Sequence, residues 1–320
     1  PSGACWEKDD PDQNPWVWER KFEVDSLCYP IQLAWLLWKN TGCVSQFEGE
    51  FQKGIGKILE VFCTEQAHEE KSDYRFIRGN SFYNDTLSRE GKGALVKSDT
   101  GLIWSGFRPS DDACTYGYLI PSNMFAVVVL GYLEEIEREI FHCPELEKEA
   151  RELKEKIHYA IESIGKTATQ EFGVIYAYET DGYGMYNLMD DANVPSLLAM
   201  DYLGYPLDPD VGENTRRFLL SNANPYYYEG KKAAGIGSPH TPSSYIWHIS
   251  MAIRGLTSKE KEEKKRVLRN MADTTGGKGV MHEGFHVDDD TRYTREWFSW
   301  ANAMYAELFL DCSGYRLKIK

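Results

Sequence analysis

The 320-residue chain contains no apolar run approaching the roughly 18 residues that a membrane-spanning helix needs, so no such anchor is expected. No signal-peptide pattern opens it. It starts with Pro1 instead of Met, so a leader could already have been removed; the expected compartment is the cytoplasm, with secretion as the alternative. Cysteine is sparse and unpatterned, with seven residues at 5, 28, 43, 63, 114, 143 and 312 and no Cys-x-x-Cys spacing. An odd, scattered set in so long a chain points to reduced thiols instead of a disulfide framework. Positive charge is also short: 36 Lys and Arg face 50 Asp and Glu, a net charge of −14. That sign argues against a nucleic-acid or anionic-membrane partner, because phosphate binding needs a cationic face. The sequence sets no oligomeric state. Its 42% hydrophobic and 27% charged residues match the ordinary globular balance and exclude wholesale disorder.

Aromatic residues are plentiful, at 13% with 20 Tyr and 9 Trp, and many lie in Gly- and Pro-rich segments. Rings on loops suit stacking against sugar faces, whereas composition by itself favours a large aromatic core. Hydrophobic period gives helices far more readily than strands. Leu27, Ile31, Trp35 and Trp38 share one helical face that Gly42 ends; Phe47, Phe51, Ile55, Ile58 and Phe62 form a second. Further helices are expected from Pro121, from Pro144, after Pro195, and near 208–221, 243–256, 258–273 and 294–311, with one short strand near 174–178. The order alternates long loop, helix, short turn, helix. Helices after short turns (144–170 and 258–273) are narrow-striped and charged, as outer helices should be; those after long loops are more apolar, as inner ones should be. The expectation is an all-α fold, an (α/α)6 barrel or toroid of helical hairpins with the long loops at one end. About nine helices are expected where a closed toroid needs twelve.

Four loops carry candidate chemistry. The first, 101–118, sets Asp111 and Asp112 beside Trp104, Arg108, Tyr116 and Tyr118. Two like charges at close range, buried against aromatic surface, raise one carboxyl so that it can protonate a leaving oxygen; the plain alternative is a solvated loop pair. The second, 181–195, repeats the pattern with Asp190, Asp191 and Asn193, although helix capping before Pro195 explains part of it. The third, 235–242, offers His240, with Trp247 following.

The fourth loop, 276–290, contains His282-Glu283-Gly284-Phe285-His286, a literal match to the zinc-protease pattern. That pattern needs a helix to bring both histidines to one face, and Gly276, Gly277, Gly279 and Gly284 make a helix poor there. The competing reading makes Glu283 one of a pair of catalytic carboxylates, with Arg295 and Trp297 adding cationic and aromatic groups nearby.

The stretches 23–30, 104–114, 116–125, 190–195, 237–242, 281–283 and 297–302 together resemble glycoside hydrolase family 125, the exo-α-1,6-mannosidases, in order along nearly the whole chain. The resemblance implies a single (α/α)6 catalytic domain over residues 1–320, no cofactor, no metal, and inverting hydrolysis of non-reducing terminal α-1,6-linked mannose from N-glycan or mannan fragments. Inversion uses two carboxyls, one protonating the glycosidic oxygen and one activating water. Carried over, the acid lies in Asp111-Asp112 and the base is Glu283. Trp104, Arg108, Asp190, Asp191, Asn193, His240, His282 and Arg295 become candidate sugar contacts. Two departures stand out. The family carries a further N-terminal segment with a Trp-Leu-Arg-Asp motif, expected to be missing from this sequence, which agrees with the short helix count; and His248 follows Trp247 where Pro is expected. A non-catalytic glycan-binding fragment and a zinc hydrolase are the alternatives.

Overall fold

The computed structural model describes residues 9–11, 16–79 and 85–315. The chain divides into two compact units, residues 1–166 with 179–187, and residues 167–178 with 188–320. Among the described residues there are ten α-helices, two of them single turns.

The first unit holds α1 (Val24–Thr41), α2 (Phe51–Glu65), the single turn α3 (His68–Lys71), α4 (Ile120–Ile136) and α5 (Pro144–Ile164). Val24, Cys28, Ile31 and Trp35 recur at helical spacing and are buried, and α1 ends as expected at Gly42, whose left-handed conformation lets its N–H reach the Trp38 carbonyl. In α4, 14 of 17 residues are buried. A helix apolar on every side must be enclosed, and α4 packs against both α1 and α5. Trp35 of α1 stacks on Tyr132 of α4 at 4.1 Å while its indole N–H donates to Glu135. α5 buries one stripe, Ala150, Leu153, Ile157 and Ile161, and covers the rest with Glu and Lys, the pattern expected of an outer helix.

Between α3 and α4 the chain wraps around Trp104, which is fully buried and stacked on His68 at 3.6 Å. Tyr118–Leu119, Glu179–Thr180 and Tyr186–Asn187 form a three-stranded antiparallel sheet that ties the 179–187 hairpin into this unit.

The second unit holds the single turn α6 (Met200–Leu203), α7 (Pro209–Leu219), α8 (His248–Leu256), α9 (Lys261–Asp273) and α10 (Ser299–Cys312). Asp208 caps α7 by accepting from the Asp210 and Val211 amides. α8 is mostly buried and packs on α9 and α10. Tyr245–Trp247, Gly284–His286 and Asp289–Thr294 make a second three-stranded antiparallel sheet.

The differences from expectation lie at helix starts. Residues 245–247 pair with 284–286, so α8 starts at His248 instead of near 243. The 289–294 strand likewise delays α10 to Ser299. No helix opens at Pro195: the Asp190 side chain takes the Leu197 and Leu198 amides, and only Met200–Leu203 is helical there. Phe47 lies in a 3-10 turn, and residues 166–169 are a strand paired with Gly173–Tyr176, close to the strand expected. α10, expected to be enclosed, buries Ala301, Met304 and Leu308 and exposes Phe309 and Leu310. The six described cysteines are free thiols, and Cys5 lies outside the described residues. No helix among the described residues is long and apolar enough to cross a membrane.

Two glycines test this packing in opposite directions. A Cβ on Gly117 would lie 2.4 Å from the Trp104 ring, whereas one on Gly54, exposed in α2, meets nothing within 4 Å. Gly117→Ala should cost about 1–3 kcal/mol by forcing the indole aside, and Gly54→Ala should add about 0.5–1 kcal/mol by restricting the unfolded chain. Urea unfolding of the two variants reads both signs.

Candidate active site

In the first unit the 104–118 loop is a tight excursion. The Arg108 amide donates to the Asp112 carbonyl at 2.8 Å, the Asp111 amide to the Arg108 carbonyl at 2.9 Å, and Phe107 bridges Ala113. Asp111 stands at the tip with φ +68°, a left-handed conformation that Asp tolerates better than most residues. Its carbonyl accepts from Lys21 Nζ at 2.9 Å. Asp112 is buried.

The loop is fixed by a residue that sequence reasoning missed. Glu179 is completely buried: Oε1 accepts from Arg108 Nε at 2.6 Å, and Oε2 accepts from the Thr115 and Tyr116 amides at 3.2 Å and from Asn187 Nδ2 at 3.0 Å. Arg108 is thereby engaged with a protein carboxylate on the same loop as the aspartates. The signal for Glu179 is its place in a short strand between two Tyr-rich turns, and nothing local to it names Arg108 as partner.

Glu23 and Asp25, at the start of α1, lie within reach of the Asp111 charge. Burial pushes the Asp25 carboxyl up to about 7, with the Asp111 charge adding to the effect. Burial raises Glu23 as well, reinforced by Asp25 and Asp111. Ser122 Oγ donates to Asp25 at 3.4 Å and Ser26 Oγ to Glu23 at 3.0 Å. Trp104, a candidate sugar contact, has its faces taken by His68 and Phe22.

In the second unit Asp190 accepts from the Leu197 amide at 2.8 Å and the Leu198 amide at 3.0 Å, and burial pushes its carboxyl up to about 8. Asp191 and Asn193 are buried beside it. Asn193 Nδ2 has no hydrogen-bond partner among the described residues. The Ala192 amide donates to the Gly237 carbonyl at 3.1 Å, joining the second loop to the third. His240 is exposed, with its ring edge-on to Trp247 at 6.3 Å.

Glu283 sits in a chain whose amides are anchored one after another. The His282 amide donates to His248 Nδ1 at 3.0 Å, the Glu283 amide to the Arg295 carbonyl at 3.4 Å, and the Gly284 amide to Thr294 Oγ1 at 3.1 Å. The buried Glu283 carboxylate faces Arg295 Nε at 3.1 Å. His282 stacks on Tyr293 at 4.0 Å and its Nδ1 donates to the Glu296 carbonyl at 2.5 Å. The other ring nitrogen of His282, Nε2, is buried and has no partner among the described residues. Two of the candidate sugar contacts thus hold buried polar atoms without a partner among the described residues.

This geometry corrects the zinc alternative. Residues 282–286 run from a loop into a strand, not along a helix. On an extended chain, positions four apart lie about 13 Å from each other, and the His286 Nδ1 accepts from the Asp288 amide. Among the described residues no group of three or more His, Cys, Asp or Glu is arranged to hold a metal ion.

His248, the departure from the family pattern, is the clamp on His282. Its Nε2–H donates to Thr274 Oγ1 at 3.1 Å, because that hydroxyl gives its own proton to the Asn270 carbonyl; Nδ1 is thereby left as acceptor. Burial depresses the ring from its ordinary 6.5 to about 3.

Two outcomes follow. Removing one member of a buried ion pair leaves the other uncompensated, so Glu179→Ala should cost about 3–5 kcal/mol in urea unfolding; a loss below about 1 kcal/mol would show the pair to be dispensable. His248 is neutral in the fold but protonates in the unfolded chain below about 6.5, so stability falls as pH drops from there towards 3. His248→Asn keeps an acceptor for the His282 amide without titrating. The stability advantage of the native protein over this variant should therefore shrink between pH 7 and pH 4.5.

The family described as metal-independent α-mannosidases (GH125) matches residues 2–310. The meiotically up-regulated gene 157 protein of Schizosaccharomyces pombe is 38% identical over 305 residues, 92% of this chain; the chain spans 60% of that protein's length. A solved metal-independent α-mannosidase of Streptococcus pneumoniae, in a non-productive complex with α-1,6-mannobiose, is 50% identical with a TM-score of 0.94, covering 97% of this chain and 74% of that one. The chain belongs to the metal-independent α-mannosidases of glycoside hydrolase family 125.

Proposed function

We propose that this protein is an inverting, exo-acting α-1,6-mannosidase that removes terminal α-1,6-linked mannose from N-glycan or mannan fragments, on an (α/α)6 scaffold to which its helical hairpins belong. The observation that carries the reading is the likeness, at 50% identity and a TM-score of 0.94, to a solved α-mannosidase holding α-1,6-mannobiose. The buried, unpartnered His282 Nε2 and Asn193 Nδ2 support it, since a buried polar atom left unmade costs about 1–3 kcal/mol and a sugar hydroxyl satisfies it.

In this reading the Asp111–Asp112 pair supplies the acid. Its proton passes to the glycosidic oxygen as the bond to C1 breaks. Glu283 is the base: it takes a proton from water as the water attacks C1 from the opposite face, which yields β-mannose from an α-linkage. Asp190, Asp191 and His240 are further sugar contacts, and Arg108 acts on the acid loop through Glu179.

Incubation with α-1,6-mannobiose followed by NMR of the anomeric protons should show β-mannose first, at a rate unchanged by EDTA. Glu283→Gln should lower kcat by about 10²–10⁴-fold while retaining binding of the disaccharide. α-Mannose as first product, inhibition by chelator, or undiminished turnover in the Gln variant would each overturn the reading. Binding without turnover in the native chain would make it a glycan-binding fragment.

A further inference from the structure

The Glu283–Arg295 pair is built by the hairpin register. Gly284 opposes Thr294 and Phe285 opposes Tyr293, so the next step outward sets Glu283 against Arg295. Two links join them, the Glu283 amide to the Arg295 carbonyl and the Glu283 carboxylate to Arg295 Nε at 3.1 Å. Arg295 has φ +41°, a left-handed conformation for which a long side chain has no intrinsic preference. Such backbone costs about 1–3 kcal/mol and persists where its surroundings over-determine it. The guanidinium lies over the Phe298 ring at 5.6 Å.

The two partners differ in exposure: the Glu283 side chain is 6% exposed and that of Arg295 is 58%. A charge so enclosed is costly unless a cation or hydrogen-bond donors are set against it. The other charged groups of this region are already engaged. Glu296 is held by Lys278 at 3.0 Å and by the Tyr293 hydroxyl at 2.9 Å, Asp290 by Lys232 at 2.8 Å, and Arg292 acts on Asp289. His282 gives its Nδ1 proton to a carbonyl and His248 stays neutral. Arg295 is thus the cation set against Glu283.

We propose that Arg295 is a positioning residue for the base: it keeps Glu283 ionised and holds Oε1, so that Oε2 is presented to the attacking water, and its effect on turnover runs through Glu283 instead of through a contact to sugar. The inference rests on Glu283 being the base, which the Glu283→Gln variant tests separately.

The experiment compares kcat and KM on α-1,6-mannobiose from pH 4 to 8 for the native protein, Arg295→Met and Arg295→Lys. In the Met variant the acid limb of kcat/KM should move up by about one pH unit, with roughly 10-fold lower kcat/KM on that limb and KM changed less than about 3-fold. The Lys variant, which keeps a cation, should recover most of the limb position. Because the Arg295 side chain is mostly exposed, both variants should melt close to the native temperature. An unmoved acid limb with a KM raised 10-fold or more would make Arg295 a sugar contact and overturn the proposal. So would a Met variant indistinguishable from native, or an equal kcat loss at every pH in both variants.

Discussion

A buried carboxylate needs hydrogen-bond donors for both oxygens, and Glu179 finds them in one guanidinium, two successive backbone amides and one side-chain amide. Arg108 and the Thr115–Tyr116 stretch of the 104–118 loop depend on that pairing. An irregular segment cannot satisfy its own backbone groups as a helix does, so the loop that carries Asp111 and Asp112 must borrow partners from elsewhere. Glu179 supplies them from the neighbouring hairpin, and in doing so ties Arg108, Thr115 and Tyr116 into one rigid set.

The same device recurs in the other unit with different chemistry. Asp190 uses both carboxylate oxygens on the amides of Leu197 and Leu198 and so fixes the turn ahead of Met200–Leu203. His248 uses the two sides of its ring, one as donor to Thr274 and one as acceptor for the His282 amide. A proline at that position has no side-chain acceptor, so the His282 amide would need another partner. The first and fourth candidate loops are thus each held by one buried polar side chain projecting from a separate segment, and the second by its own Asp190. The helices give these anchors a firm base: α4 is enclosed by α1 and α5, and α8 by α9 and α10.

Much of this was legible in the residues. The periods of α1, α2, α4, α5 and α9 set their type and approximate extent, and Gly42, Pro121 and Pro144 marked their ends because glycine and proline act locally. The carboxylate-rich loops were visible as breaks in that period. What failed was local reading wherever pairing is long-range. The starts of α8 and α10 were each placed about five residues early, because strands with no alternating pattern of their own form there only by pairing with each other. Arg108 was read as a sugar contact, since nothing within ten residues of it reveals the carboxylate 71 positions away.

The sequence by itself determined the helical class, the family and the chemistry available in each loop, because side-chain period, glycine and proline punctuation and residue type are properties of neighbours along the chain. Tertiary structure alone decided whether His282 to His286 would be a helical metal motif or a strand edge, which nitrogen of His248 and of His282 carries the proton, and which carboxylate Arg295 faces. Those outcomes depend on hydrogen bonds between segments far apart in sequence, and burial sets their strength by removing water as the competing partner.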